Sequence, residues 1–299
     1  MNNIKTEFSI KDLENLSGIK AHTIRIWEKR YNLLHPERTD TNIRYYGIDS
    51  LQKILNVAYL NNNGYKISKI AALGEEEIPV IAKEIASRTA LKGHAISSFK
   101  LAMMNFDQNL LYNTYNNLLQ EKTFKQIFYD VFVPFLEELG LLWQTDTITP
   151  AHENFVSTFI KQKILVNTEK IKNIEPVKSS KTFVLFLPDN EIHDIGLLFL
   201  NYELASKGYK TIFLGQSVPV ENLKDLQKFY DDIIFVSYFT VKPEKNEVLD
   251  YLNHFENTIL KNKRSKLYLL GRRLSEIDLN KLPNGMKAFK SIDNLVKEL

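Results

Sequence analysis

The stretch Thr182–Gly196 constrains this chain more than any other. Its first six residues, Thr-Phe-Val-Leu-Phe-Leu, form an uninterrupted β-favouring run, a short polar loop then carries His193, and Gly196 opens an apolar helical pattern through Leu200. A buried strand, a loop and a helix in that order are the opening unit of a doubly wound sheet. Further runs at Lys210–Leu214, Ile233–Ser237 and Leu267–Leu270 alternate with helical stretches, a weaker strand follows near Lys287–Phe289, and Ile292–Leu299 is a terminal helix. Such alternation predicts a parallel sheet with helices on both faces. Ligands of these sheets sit outside the carboxyl ends of the strands, where His193 falls. No glycine-rich dinucleotide fingerprint and no P-loop follows the first strand, which argues against nicotinamide, flavin and nucleoside triphosphate ligands.

The chain has 299 residues, enough for two or three domains, and its 44% hydrophobic and 25% charged content is ordinary for a globular protein. It has no cysteine, which excludes disulfides, iron–sulfur clusters and thiolate metal sites and fits a reducing cytoplasm. The longest apolar stretch, Ile127–Trp143, is cut by Asp130, Glu137 and Glu138, so no membrane span is expected, and the N-terminus lacks a signal-peptide core. A net charge of +3 is too small to diagnose a nucleic-acid binder, so local clustering must decide. His22, His35, His94 and His254 show no helical pairing, which argues against zinc.

That clustering occurs near the start. Ser9 and Asp12 predict a capped helix that stops at Gly18, and a second helix runs from after Ile19 to Tyr31, giving a helix-turn-helix. Lys20, Arg25, Lys29, Arg30, Arg38 and Arg44 outnumber Glu28, Glu37 and Asp40 between Lys20 and Tyr46, with aromatics interleaved. Leu33–Gly47 has turn residues in its middle and a β-favouring end, predicting a two-stranded wing, and helices are expected at Ile48–Leu60 and Ser68–Leu73. Trp27 is expected to belong at least partly to the core.

Between these regions the periodicity predicts helices at Val80–Arg88, His94–Met104, Gln108–Gln120, Thr123–Leu142 and Pro150–Thr168, with breaks at Pro79 and Gly93, caps at Asp107 and Thr149 and a kink at Pro134. The Lys178–Lys181 stretch is expected to be a polar linker. The expected fold class is therefore multidomain α and α/β. Residues 1–75 form a winged helix-turn-helix, 76–178 a helical bundle, and 179–299 a doubly wound, flavodoxin/Rossmann-like domain.

Residues 8–74, through Gly18–Tyr31, Pro36, Arg38 and Arg44-Tyr45-Tyr46, resemble the DNA-binding domain of MerR-type transcription regulators. The resemblance implies double-stranded operator DNA as partner, with Thr23, Arg25, Arg30, Arg38, Arg44 and Tyr45 as its contacts. The C-terminal half resembles the cobalamin module of light-sensing MerR-type repressors, a helical cap followed by a Rossmann-like domain. Glu191-x-His193-x-x-Gly196 is similar to the Asp-x-His-x-x-Gly motif of cobalamin-binding domains. It implies His193 as the cobalt ligand, Glu191 as the carboxylate that orients it, and Gly196 as the residue that lets the helix start close to the corrin.

Trp143 and Glu153 resemble the cap signature that covers the upper corrin face. Gly215 and Ser217 lie in a loop similar to the one after the family's second strand, Ser237 stands where a serine contacts the buried nucleotide tail, and Gly271 matches the first of two glycines beside it. Two positions depart from the pattern. Gln144 stands where the photoreceptor members carry a cobalt-binding histidine, for which His152 is the nearby substitute, and Arg272 replaces the second glycine. The implied protein is a cytoplasmic, dimeric or tetrameric non-enzymatic regulator that senses adenosylcobalamin or methylcobalamin between cap and Rossmann-like domain, with light as a candidate signal. The alternatives are a regulator whose degenerate, cobalamin-free C-terminal half serves assembly or another ligand, and a corrinoid methyl-transfer protein.

Overall fold

The computed structural model describes residues 7–89, 95–144, 148–172, 178–261 and 264–299. It divides into two compact units, Met1–Thr158 and Phe159–Leu299. No helix among the described residues is long and apolar enough to cross a membrane.

The first unit opens on α1 (Ile10–Ser17), held by the expected capping box between Ser9 and Asp12 and stopped by left-handed Gly18. Helix α2 (Ala21–Tyr31) has no side-chain cap of its own at Lys20. Instead Glu14 of α1 accepts from the Ala21 N–H at 3.1 Å, so the turn is fastened from the preceding helix. That backbone bond, with Lys11 and Lys20 alongside, holds the Glu14 carboxyl down at about 2. The wing pairs β1 (Glu37–Arg38) antiparallel with β2 (Arg44–Tyr45). Helix α3 (Ile48–Asn62) and the single turn α4 (Ile67–Ile70) complete this core, in which Ile24, Trp27, Leu51 and Ile54 are buried.

Helix α5 (Glu77–Thr89) starts before the expected position and takes in Pro79. Proline is tolerated there because first-turn N–H groups have no intrahelical acceptor. Gly93, the other expected breaker, lies outside the described residues. Helices α6 (Ala95–Met104) and α7 (Gln108–Leu118) follow, and Asp107 caps α7 as expected. The single helix expected over Thr123–Leu142 is a composite of α8 (Phe124–Ile127), a π turn over Phe128–Phe132 and α9 (Val133–Gln144). Pro134 supplies no N–H and its ring crowds the preceding turn, and the wider π turn makes room for it. Helix α10 (Pro150–Lys172) carries the chain across the division between the units.

The second unit is built on five parallel strands: β3 (Lys178–Phe186), β4 (Tyr209–Gly215), β5 (Ile233–Tyr238), β6 (Lys266–Leu270) and β7 (Met286–Ala288), in the order β4-β3-β5-β6-β7. The expected linker Lys178–Lys181 belongs to β3, because Lys178 pairs with Tyr209 and an irregular register carries the pairing on to Thr182. Strand pairing there overrides local polarity. Helices α11 (Ile195–Ser206) and α13 (Ile292–Glu298) pack against each other, with α11 on the sheet. Helix α12 (Val248–Phe255) and the Val220–Lys228 segment bury Val248, Leu252, Phe255 and Leu223 with Phe186, Phe235 and Phe239. Strand order reverses between β3 and β5. A doubly wound sheet opens its ligand crevice at that switch point.

Candidate functional sites

The loop between β3 and α11 lies at this switch point, and Glu191 is its anchor. Its side chain is fully buried. Oε1 accepts from the N–H groups of Ile192 and His193 and lies 2.6 Å from His193 Nδ1. Oε2 accepts from the N–H groups of Thr240, Val241 and Lys242, at 3.2, 2.6 and 2.8 Å, in the loop after β5. One carboxylate therefore ties together the two loops that flank the crevice. Burial pushes its pKa up, but the bonds from His193 and from the Lys242, Val241 and His193 backbone outweigh burial and hold it at about 2. Glu191 is thus a carboxylate at neutral pH and can only accept, so the shared proton belongs to Nδ1 and the Nε2 lone pair is the one able to bind a metal.

The imidazole is half-exposed, at 45%. Ile192 (60% exposed), Leu214 (39%) and Val241 (40%) place apolar side chains at the same edge of the sheet. An oriented Nε2 donor within an apolar rim is the donor set that a flat, metal-centred macrocycle requires.

Other expected residues converge here. Gly215 accepts from the Leu187 N–H, and Ser217 Oγ accepts from the Asn190 N–H, which ends the β4 loop against the His193 loop. Ser237, on β5, is fully buried, and its hydroxyl has no hydrogen-bond partner among the described residues. Gly196 and Gly271 both need to be glycine. A Cβ on Gly196 would lie 2.9 Å from the Tyr238 ring, so the protein's own tyrosine uses the space expected for a ligand, while a Cβ on Gly271 would lie 2.2 Å from the Phe239 carbonyl. Arg272 is exposed.

Three further residues brace this loop system. Gln216 Nε2 donates to the Ile192 carbonyl and to Asp194, and Lys161 pairs with Asp194 at 2.7 Å. Arg273 donates from Nε to the Val241 carbonyl at 3.0 Å and pairs with Glu244 and Glu276, bracing the loop that holds Glu191. Only the position of Arg273 after the β6 glycine marks it in the sequence.

In the helical block Glu153 lies half-buried in the first turn of α10, and the side chains of Trp143 and Gln144 lie outside the described residues. His152 does not have the freedom of a substitute cobalt ligand. Its Nδ1 accepts from the Thr149 N–H at 3.3 Å, which leaves the proton on Nε2, and its ring stacks on Phe106 at 4.6 Å. Burial lowers its pKa further toward the neutral form.

In the helix-turn-helix, Ile24 and Trp27 point into the core while Arg25, Ile26 and Arg30 are exposed on α2. Thr23 is partly exposed beside them, and Arg38 is exposed on the wing. Arg44 and Tyr45 are half-buried and engaged within the protein. Arg44 pairs with Glu28 at 3.5 Å, and Tyr45 donates to Glu37 at 2.7 Å. Glu28 also accepts from the buried Tyr46 hydroxyl at 2.5 Å, clamping the wing to α2. Burial first and the Glu28 contact second push the Tyr46 pKa up. The exposed Ile26 was not singled out in the sequence, because apolar side chains on a helix are read as core by default.

Residues 8–77 match the MerR HTH regulatory-protein family and residues 95–166 match the B12 binding domain family. The helix-turn-helix and the helical block thus each match a family, and both precede the five-stranded parallel sheet. The chain is 28% identical to the HTH-type transcriptional repressor CarH of Myxococcus xanthus over 222 residues, covering 72% of this chain and 73% of that one. It is 24% identical to CarA of the same organism over 217 residues, covering 72% and 70%. The monomethylamine corrinoid protein of Methanosarcina barkeri shares the fold, with a TM-score of 0.51 at 12% identity over 71% of this chain and 94% of that one.

Proposed function

We propose that this chain is a DNA-binding transcription regulator whose C-terminal half senses a cobalamin through His193. The observation that carries the reading is the buried Glu191, which orients His193 at the switch point of a sheet preceded by a MerR-type helix-turn-helix and a B12-binding-type cap. Bound adenosylcobalamin or methylcobalamin would be held by His193 and would supply a cobalt able to take an imidazole ligand and a cobalt–carbon bond open to cleavage by light. The protein's part is to keep a proton on Nδ1 of His193, aim Nε2, and hold the two flanking loops in one arrangement through Glu191. His152 is engaged with Thr149, so any light response proceeds without an imidazole from that turn.

On α2, Thr23, Arg25 and Arg30 face the bases and phosphates of operator DNA, and the exposed Ile26 suits a thymine methyl. Arg38, Arg44 and Tyr45 of the wing serve the phosphate backbone. One such module reads a single half-site, so a dimer or tetramer is the working form. Cobalamin controls operator affinity only insofar as it binds one assembly state better than another.

The test is to mix the purified chain with adenosylcobalamin or methylcobalamin in the dark and pass it over a size-exclusion column. Co-eluting colour is expected, with a spectrum that His193→Ala shifts and that is then compared with and without illumination. Colourless protein would overturn the cobalamin reading, and an unchanged His193→Ala spectrum would remove His193 as ligand.

A further inference from the structure

His193 stands between two residues that are each fastened to another part of the fold. On one side Gln216, in the loop after β4, donates from Nε2 to the Ile192 carbonyl at 2.9 Å. On the other side the same amide nitrogen donates to Asp194 Oδ2 at 2.7 Å, and Lys161 of α10 meets Asp194 Oδ1 at 2.7 Å. The chain on both sides of the imidazole is therefore held, and held by residues other than Glu191.

Asp194 occupies the N-cap position of α11, where an aspartate ordinarily accepts from an N–H of the first turn. Its side chain makes no capping bond. Its two oxygens go instead to Gln216 and Lys161. The Lys161 side chain is 31% exposed, and an ion pair that open to water adds little to folding stability. A capping bond contributes at least as much, so stability alone does not account for the arrangement. Position does. Glu191 grips the imidazole itself at Nδ1 and so fixes its tautomer. The Asp194 pair grips the chain beside the ring and so fixes where the ring stands, and a metal ligand needs both to be set by its surroundings. Lys161 comes from α10, the helix whose first turn carries Glu153, and lies within residues 95–166, which match the B12 binding domain family. Residues of that matching region, and not the sheet alone, thus hold the His193 loop.

We propose that Lys161 is a positioning residue for His193: through Asp194 it sets the place of the imidazole whose tautomer Glu191 sets. The inference rests on the cobalamin reading above.

The experiment compares the full-length wild-type chain with Lys161→Met, which keeps the length of the side chain but not its charge, and with Lys161→Arg, which keeps the charge. Each is titrated in the dark with methylcobalamin while its absorption spectrum is recorded, and each is followed without ligand by hydrogen exchange over the His193 loop. Lys161→Met is expected to bind about tenfold more weakly, the size of effect a lost supporting partner has on a metal ligand. Its spectrum should shift in the direction that His193→Ala shifts it, and the Ile192 and His193 amides should exchange faster than in wild type. Lys161→Arg should bind within about twofold of wild type, and all three chains should melt together. Affinity and spectrum of Lys161→Met equal to those of wild type would overturn the proposal, as would unaltered exchange or an arginine variant as impaired as the methionine one. A methionine variant that melts well below wild type would overturn it too, by assigning Lys161 to folding. Colourless wild type would overturn the cobalamin reading and this proposal together, whereas coloured wild type with an unaltered Lys161→Met spectrum overturns this proposal alone.

Discussion

A glutamate organises the helix-turn-helix and another organises the His193 loop, and they are held in contrasting ways. Glu28 is clamped by side chains, the Tyr46 hydroxyl and the Arg44 guanidinium, and its own side chain is 9% exposed. Glu191 is fully buried, and its partners are one imidazole and the backbone N–H groups of Ile192, His193, Thr240, Val241 and Lys242. A side-chain clamp can be dismantled one partner at a time. A backbone cage depends on the path of two loops at once, so it holds or fails as a unit. The first arrangement leaves the wing adjustable, and the second fixes the tautomer and aim of an imidazole.

Glu191→Ala should therefore have the largest effect. It leaves several buried N–H groups unpaired and releases His193, costing on the order of 3 kcal/mol of unfolding free energy by urea titration. The pH dependence has a definite sign. Folding lowers the Glu191 pKa from 4.5 to about 2. The stabilisation is complete above the unfolded value and is lost as pH falls through the folded one. The wild-type advantage over Glu191→Ala should shrink as pH falls from about 5 toward about 2. A difference that stays constant down to the acid limit would show that the carboxylate charge is not what the cage holds.

Arg273→Ala comes next. It removes the donor to the Val241 carbonyl and two ion pairs, and should cost about 1–2 kcal/mol while broadening the spectrum of any corrinoid held on His193. A full loss of stability with an unaltered spectrum would confine Arg273 to a structural role.

Glu28→Ala tests the other clamp. The expected cost is about 1 kcal/mol, with weaker DNA binding but unchanged corrinoid affinity. A loss as large as that of Glu191→Ala would erase the distinction drawn between the two glutamates. The smallest effect on stability belongs to Arg38→Ala, an exposed wing arginine that should leave melting unchanged. It should lower the slope of log affinity against log salt by about one unit if it meets a phosphate.

Much of this architecture was legible in the chain because it rests on local periodicity. The strands announce themselves through runs such as Thr182–Leu187, and the first helix through the Ser9 and Asp12 capping box, which the structure reproduces. The motif around His193 was legible too, since a carboxylate two residues before an imidazole can meet it within one loop. What was not legible depends on distant partners. The polar Lys178–Lys181 stretch becomes strand only because Tyr209 lies beside it, and the helix expected across Pro134 widens into a π turn. His152, a free imidazole by sequence, is engaged with Thr149 and Phe106.

By itself the sequence determined the parallel alternation of strands and helices and the carboxylate–imidazole pair in the loop after β3. These follow from hydrophobic period and turn chemistry, which act over a few residues. Only the tertiary structure decided how the site is held. It brought the Thr240–Lys242 backbone to Glu191 across some fifty residues of chain, set Tyr238 against Gly196 and Phe239 against Gly271, and paired Lys161 with Asp194. Those outcomes depend on which strands become neighbours, and strand order is settled by packing the whole sheet rather than by any one segment of it.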